Sequence, residues 1–307
     1  MLYDVVIIGG GPAGLAAGLY TARARLKVLL VEKAVAAGGQ VMTTGWIENY
    51  PGFMDGISGA ELSSKMEKHA IKFGLEIMHG TVAGISQYEG VKKVALEGNG
   101  QLEAKSIILA SGANPKSLNI EGEEKFRGRG VSYCSTCDGA FFRDDKIAVI
   151  GGGDSAVEGA VSLAKFAKSV YVIHRGDSFS ATKIAQERAF SNPKLKIIFK
   201  AVAEKIEGGD TVKALHIRDL ETDERSKLEV QGVFIYVGYK PNTGFLKGLL
   251  RLDSEDYIIT GNDMSTSVDG IFAAGDVRTK SLKQISTAVG DGATAAIMAG
   301  KYIEENF

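Results

Sequence analysis

Two stretches of the chain carry the same pattern of apolar and polar positions. Residues 4–14 read DVVIIGGGPAG and residues 147–156 read IAVIGGGDSA. Each is a short β-branched run, then a glycine cluster, then a stretch whose apolar positions fall at helical spacing. The first helix is predicted to start near Gly14 and run through Leu15, Leu19 and Ala22. The second carries Ala156, Val157, Ala160, Val161 and Ala164 at the same spacing. Each helix is followed by another apolar strand, LKVLLV (26–31) and SVYVI (169–173). One strand–helix–strand unit is thus written twice, 142 residues apart.

After each unit come shorter strands divided by glycine, polar and charged turns, and then a closing strand, SIILASG (106–112) or GVFIYVG (232–238). Pro115 and Pro241 lie just beyond these strands, at natural hinge points. The remainder holds one more buried strand, in GIFAAGD (270–276), and a terminal helix through Ala293, Ile297 and Ile303, too little for a third unit. The expected fold is α/β, with two Rossmann-like three-layer nucleotide-binding domains, the second inserted in the first. The boundaries are 1–114 and 244–307 for the first domain and 115–243 for the second.

Composition sharpens this. Glycine numbers 39 of 307 residues, well above the usual ~7%, while prolines number five. The glycines therefore belong to turns and close backbone approaches. A net charge of -1 gives no reason to expect a nucleic-acid or anionic-membrane partner. No basic region precedes the first apolar run, and Gly9, Gly10 and Gly11 cut that run far short of the ~20 apolar residues a membrane span needs. A cytoplasmic protein without a membrane partner is expected. The only cysteines are Cys134 and Cys137, and the histidines are scattered singly, so no metal site is expected.

Gly9-x-Gly11-x-x-Gly14, with Pro12 and Ala13 inside it, follows a strand and opens a helix, as a dinucleotide fingerprint requires. The glycines serve the tight turn, the approach of backbone to pyrophosphate, and helix–strand packing; the helix start attracts phosphate. Glu32 ends the second strand, 23 residues after Gly9, where an acid binds ribose hydroxyls. Gly151-x-Gly153-x-x-Ala156, enclosing Asp154 and Ser155, is the second fingerprint. The same count of 23 from Gly151 falls on His174, followed by Arg175. An acid suits a bare ribose and a cation suits a 2′-phosphate. The first site thus favours the adenosine half of FAD, and the second leans towards NADP(H).

Cys134-Ser-Thr-Cys137 is the spacing of a redox dithiol, in which a thiolate attacks a disulfide through a mixed disulfide. Asp138 follows directly, either as a proton donor to a nascent thiolate or as the first half of an Asp-Gly turn. Ala140-Phe141-Phe142-Arg143 reads equally as core and as an exposed rim for a protein partner.

With these residues in place, the chain resembles the low-molecular-weight thioredoxin reductases, FAD-dependent class II members of the pyridine nucleotide-disulfide oxidoreductases. The resemblance runs through GGGPAG (9–14), GGQ (38–40), ENYPG (48–52), RGRGVSYCSTCDG (127–139), GGGDSA (151–156), GVFIYVGYKPNT (232–243) and GIFAAGDV (270–277) to Lys283-Gln284-Ile285. It implies a homodimer that passes electrons from NADPH through FAD and the Cys134–Cys137 disulfide to thioredoxin or a thioredoxin-like protein. By resemblance, Cys137 meets the flavin, Cys134 attacks the partner disulfide, and Asp138 is the acid–base residue. Asp276, after Gly275, is implied to bind the ribityl chain; Gln284 and Ile285, after Lys283, face the flavin ring. Gly39, Gln40, Asn49 and Gly112 match other flavin positions, and Arg129 a thioredoxin-docking residue. The family's 2′-phosphate motif is His-Arg-Arg-x-x-x-Arg, whereas here His174-Arg175 is followed by Gly176 and Ser180. NADH therefore stands as a possible donor beside NADPH. Ferredoxin or deazaflavin as donor, another disulfide acceptor, and a non-catalytic nucleotide sensor are the competing expectations.

Overall fold

A computed structural model describes residues 1–44, 46–88, 90–246 and 248–307, apart from the side chain of Thr43. The chain divides into two compact units, Met1–Asn114 with Lys240–Phe307, and Pro115–Tyr239.

The first unit opens with strand β1 (Leu2–Ile8), helix α1 (Pro12–Arg23), β2 (Val28–Glu32), α2 (Gly59–Lys72), β3 (Glu76–His79), β4 (Val82–Tyr88), β5 (Val91–Leu96) and β6 (Gln101–Leu109). The order β3-β2-β1-β6 is parallel, and β5 and β4 continue it antiparallel. Strand β1 is covered on both faces, which is why its sequence is a continuous apolar run. Val5 and Ile7 join a core with Leu15, Ala17 and the alanines of the last helix, while Val6 and Ile8 join one with Leu109, Leu246 and Ile258. Helix α1 begins at Pro12, two residues ahead of the expected start, because proline at a first helical position gives up only an N–H that has no partner there. Strand β7 (Ala113–Pro115) carries the chain out of this unit.

The second unit contains β8 (Val131–Ser132), the short helix α3 (Ser135–Asp138), β9 (Lys146–Ile150), α4 (Asp154–Leu163), β10 (Ser169–Ile173), α5 (Lys183–Phe190), β11 (Leu195–Ile198), the strands β12 (Ala201–Gly208), β13 (Val212–Asp219) and β14 (Arg225–Glu229), and β15 (Gly232–Ile235). A parallel sheet, β11-β10-β9-β15-β8, and an antiparallel one, β12-β13-β14, result. Ile147, Val149 and Phe234 pack under α4 and α5, and Ala148, Ile150 and Val233 pack with Ile206, Leu215 and Ile217 of the antiparallel strands.

Strand β16 (Tyr239–Pro241) pairs with β7 as the chain returns, and β17 (Ile271–Ala273) pairs in parallel with β6. Helix α6 (Ile285–Asn306) ends the fold. Its buried face is Ala288, Gly292, Ala295, Ala296, Ala299 and Ile303, whereas Ile297, one of the positions that traced this helix, is 49% exposed. Small residues dominate that face because α1 crosses closely: a Cβ on Gly292 would lie 2.1 Å from the Ala13 carbonyl oxygen. Among the described residues no helix is long and apolar enough to cross a membrane.

Candidate active site

In the first unit the loop after β1 tests what each glycine does. Gly9 has φ +105, and a Cβ there would stand 2.4 Å from the Ala110 oxygen. A Cβ on Gly14 would stand 1.8 Å from the Gly9 oxygen, so this glycine lets α1 meet the strand end. A Cβ on Gly11 would meet nothing within 4 Å, leaving open the side from which a pyrophosphate can approach backbone. Gly11 caps α1 without a side-chain hydrogen bond, so the N–H groups of the first turn point to that opening. Glu32 is buried, and its two carboxylate oxygens accept the N–H groups of Gly10 and Ala34. Each oxygen retains a lone pair for a ribose hydroxyl.

Other candidate residues gather around this helix start. Gly39 has φ +57, and its Cβ would lie 3.1 Å from Gly11 Cα; Gly275 has φ +79, and its Cβ would lie 2.8 Å from Ala13 Cβ. Asp276, next to Gly275, has its carboxyl pushed above the usual range by burial, with Lys280 and Lys283 opposing. Its Oδ1 is buried without a hydrogen-bond partner among the described residues. An orphaned buried acceptor costs about 1–3 kcal/mol, and a polyol hydroxyl would supply the missing donor. The cradle therefore fits a flavin dinucleotide. Asn49 donates to Gln284 Oε1 at 3.1 Å, Gln284 caps α6 through a capping box with Thr287, and Ile285 opens that helix. Lys283 Nζ stands 4.3 Å from the centroid of the Tyr257 ring. Gln40 donates to Asn114 Oδ1 at 2.6 Å, and Gly112, φ +67, accepts the Asn242 N–H at 3.0 Å. Asp291 had no signal in the sequence. It accepts from Gly275 N at 3.0 Å and from Lys280 at 2.8 Å, which fixes the Asp276 turn.

In the second unit Cys134 and Cys137 form a disulfide. Cys134 is the N-cap of α3: its Sγ accepts the Cys137 N–H at 3.2 Å and its own N–H donates to Ser132 Oγ at 3.1 Å. Burial raises the pKa of Asp138, and a hydrogen bond from Ser132 pulls the other way. The Phe141-Phe142 pair divides. Phe142 packs edge-on against Phe234, with ring centroids 5.2 Å apart, while Phe141 is 47% exposed. Arg129 is exposed and donates to the Lys125 carbonyl. Tyr236, read in the sequence only as part of a strand, accepts the Ser135 N–H at 2.6 Å.

The second fingerprint repeats the first loop's devices. Gly151 has φ +145, with a Cβ position 2.4 Å from the Tyr236 oxygen, and Gly153 caps α4 without a side-chain bond. Ser155 follows Asp154 in the first turn, Ala156 is buried, and Asp154 accepts the Thr182 N–H at 2.8 Å. His174 packs against Phe179 and Phe199, and Cβ positions on Gly152 and Gly176 lie 2.3 and 2.8 Å from its ring nitrogens. Burial lowers its pKa, leaving it uncharged at neutral pH. Arg175 beside it is exposed.

The sequence model of the pyridine nucleotide-disulphide oxidoreductases matches residues 3–292. The chain belongs to that family. It is 44% identical over 312 residues to a thioredoxin reductase of Peptoclostridium acidaminophilum, covering 100% of this chain and 98% of that protein. It is 45% identical over 305 residues to the Bacillus subtilis thioredoxin reductase, covering 99% and 96%. The crystal structure of thioredoxin reductase from Streptococcus pyogenes, 49% identical, superposes with a TM-score of 0.94 over 99% of both chains. A Lactococcus lactis thioredoxin reductase in an FR conformation, 47% identical over 99% of both chains, gives 0.69. Family membership implies flavin and pyridine-nucleotide chemistry, and the two glycine cradles stand in separate units.

Proposed function

We propose that the chain is a thioredoxin reductase that takes electrons from NADPH, passes them through FAD to the Cys134–Cys137 disulfide, and delivers them to thioredoxin. The observation that carries this is a disulfide next to a half-buried carboxyl, Asp138, in the unit that also bears the second nucleotide cradle. The names of the relatives supply the partner. In balance, NADPH, a proton and a thioredoxin disulfide give NADP⁺ and a thioredoxin dithiol.

FAD would be held by Gly9, Gly11, Gly14, Glu32 and Asp276, and when bound it turns a hydride into a pair of electrons that a disulfide accepts. Gln40, Asn49, Gln284 and Ile285 are assigned to its ring side, and Gly112, Gly275 and Lys283 complete the cradle. The chain's own residues do the rest. Gly151, Gly153 and Ala156 present the start of α4 to the NADPH pyrophosphate, with Asp154 and Ser155 in its first turn, and Arg175 is the cation nearest in sequence to the ribose position. Cys134 attacks the thioredoxin disulfide, and Cys137 resolves the mixed disulfide. Asp138, with its proton held more tightly by burial, protonates the thiolate that leaves. Phe141 and Arg129, both exposed, form the rim that receives thioredoxin.

We assign the enzyme to the cytoplasm, where dithiols are kept reduced. We also assign it to a homodimer, in which a second copy covers the exposed Tyr20, Ile71, Phe73 and Ile297 of the first unit; sedimentation tests this. The function itself is tested anaerobically. NADPH, NADH and reduced ferredoxin are offered in turn while flavin bleaching is followed, and thioredoxin is then added. Bleaching by NADPH and reoxidation by thioredoxin are expected. Bleaching by ferredoxin alone would replace the donor, and no reoxidation would replace the acceptor.

A further inference from the structure

Tyr236 has no part in the chemistry above, yet it touches both functional elements of the second unit. Strand β15 ends at Ile235, and Tyr236, held by its N–H to the Ile150 oxygen at 2.8 Å, follows directly. Its carbonyl oxygen lies over the fingerprint, 2.4 Å from the Cβ position of Gly151. Its ring lies on α4, with Cζ and Oη each 3.2 Å from the Cβ position of Gly159. Its phenol oxygen accepts the N–H of Ser135, the first residue of the turn that bears the disulfide. One residue is therefore held by its backbone beside the nucleotide cradle and by its ring on α4, and its phenol oxygen in turn holds the peptide between the two cysteines.

We propose that Tyr236 is a positioning residue for the dithiol, holding the Ser135 peptide so that Cys134 and Cys137 stay in register for ring closure. The proposal rests on reading those cysteines as a reversible redox pair. Reduction breaks the S–S bond and adds two electrons and two protons from a donor dithiol, which is itself oxidised to a disulfide. Closure returns them, and its equilibrium depends on how often the two sulfurs meet, which a pinned turn raises. Without the phenol oxygen the Ser135 N–H loses its acceptor and the turn samples more arrangements. The dithiol is then favoured and the couple becomes more oxidising.

The test uses the full-length, flavin-loaded enzyme, equilibrated anaerobically in dithiothreitol redox buffers, with thiols trapped by alkylation and counted by mass spectrometry. A wild-type disulfide that no buffer reduces would sink the redox-pair reading itself. Given a reducible wild type, Tyr236→Phe keeps the ring on Gly159 and is expected to shift the equilibrium about ten-fold towards the dithiol, or about 30 mV for two electrons. Replacing the Ser135 amide by an ester, through semisynthesis with the matching α-hydroxy acid, removes the donor without adding an atom beside the phenol oxygen that accepts from it. In that background Tyr236→Phe is expected to change nothing further. An unshifted couple in Tyr236→Phe, or the same shift with and without the Ser135 N–H, overturns the proposal.

Discussion

Arg175 faces the 2′-phosphate question with little help. His174 is packed against aromatic rings and uncharged at neutral pH, Gly176 and Ser180 replace arginines, and Asp177 adds a negative charge. Each lost contact to a charged group is worth about 1.5–3 kcal/mol, so discrimination between NADPH and NADH should be weak, with NADPH somewhat better. Ser180→Arg replaces an exposed residue and should raise kcat/KM for NADPH about ten-fold while leaving NADH and the thioredoxin step unchanged. Gly176→Arg should gain less, because its Cβ would press on His174 Nε2 at 2.8 Å. A native preference of several hundredfold would show that another basic residue binds the phosphate. At Asp138 the effect runs through protonation. Burial raises its folded-state pKa, so the carboxyl keeps its proton to higher pH than an exposed aspartate and stabilises the fold least where it is ionised. Asp138→Asn should slow thioredoxin reduction about a hundred-fold or more and flatten the alkaline limb of its pH profile. The same variant should unfold at higher temperature than wild type at neutral pH, with the gap closing as pH falls below the aspartate range. Equal melting at both pH values would mean that the carboxyl is solvated.

Helix α6 shows how much a single element depends on where its glycines stand. Gly290 and Gly292 are two residues apart, yet a Cβ at Gly290 meets nothing within 4 Å and one at Gly292 strikes α1 backbone at 2.1 Å. Gly290→Ala should stabilise by about 0.5–1 kcal/mol through helix propensity alone. Gly292→Ala should destabilise by about 1–3 kcal/mol and weaken flavin retention, since it pushes α6 off the start of α1. Thermal melts with and without added FAD separate the two, and matching melts would remove the close crossing from the account. The contrast also marks what the sequence could tell. The strand–glycine–helix loops were legible because their constraints lie within a few residues, as in the clash between Gly14 and the Gly9 oxygen. The buried face of α6 was not, since its small residues answer to a helix some 280 positions earlier, while the larger Ile297 is half exposed. His174 was read by counting from Gly151, a rule that is blind to Phe179 and Phe199 closing around it. Tyr236 had only one signal, a hydroxyl at the carboxyl end of a parallel strand, which is where α/β sheets bind ligands. Asp291 had none, because its partners are the backbone of Gly275 and side chains in a loop.

At the scale of the molecule, one flavin has to serve two reactions. The disulfide lies 14 residues before Gly151 and in the same unit as the second nucleotide cradle, whereas the cradle proposed for the flavin belongs to the other unit. Hydride transfer and dithiol exchange each need near-contact with the flavin ring, within roughly 3–3.5 Å of the reacting atoms. A nicotinamide and a disulfide carried by one body cannot both hold that position against the same face. If both use the same face, rotation between half-reactions is then expected about the connections near Asn114–Pro115 and Pro241–Gly244, where β7 and β16 lie. These connections suit a hinge: they are two three-residue strands, each including a proline, Pro115 and Pro241, so a few backbone torsions can absorb the change. On the first unit's side Asn242 donates to the Ser111 oxygen at 2.8 Å and accepts from Asn114 at 3.2 Å. A covalent cross-link between the units, verified by mass spectrometry, should leave one half-reaction intact and block the other. Stopped-flow bleaching by NADPH reads the first, and reoxidation by thioredoxin of chemically reduced enzyme reads the second. An enzyme locked by a verified cross-link that still turned over NADPH and thioredoxin at the native rate would show that no rotation is needed.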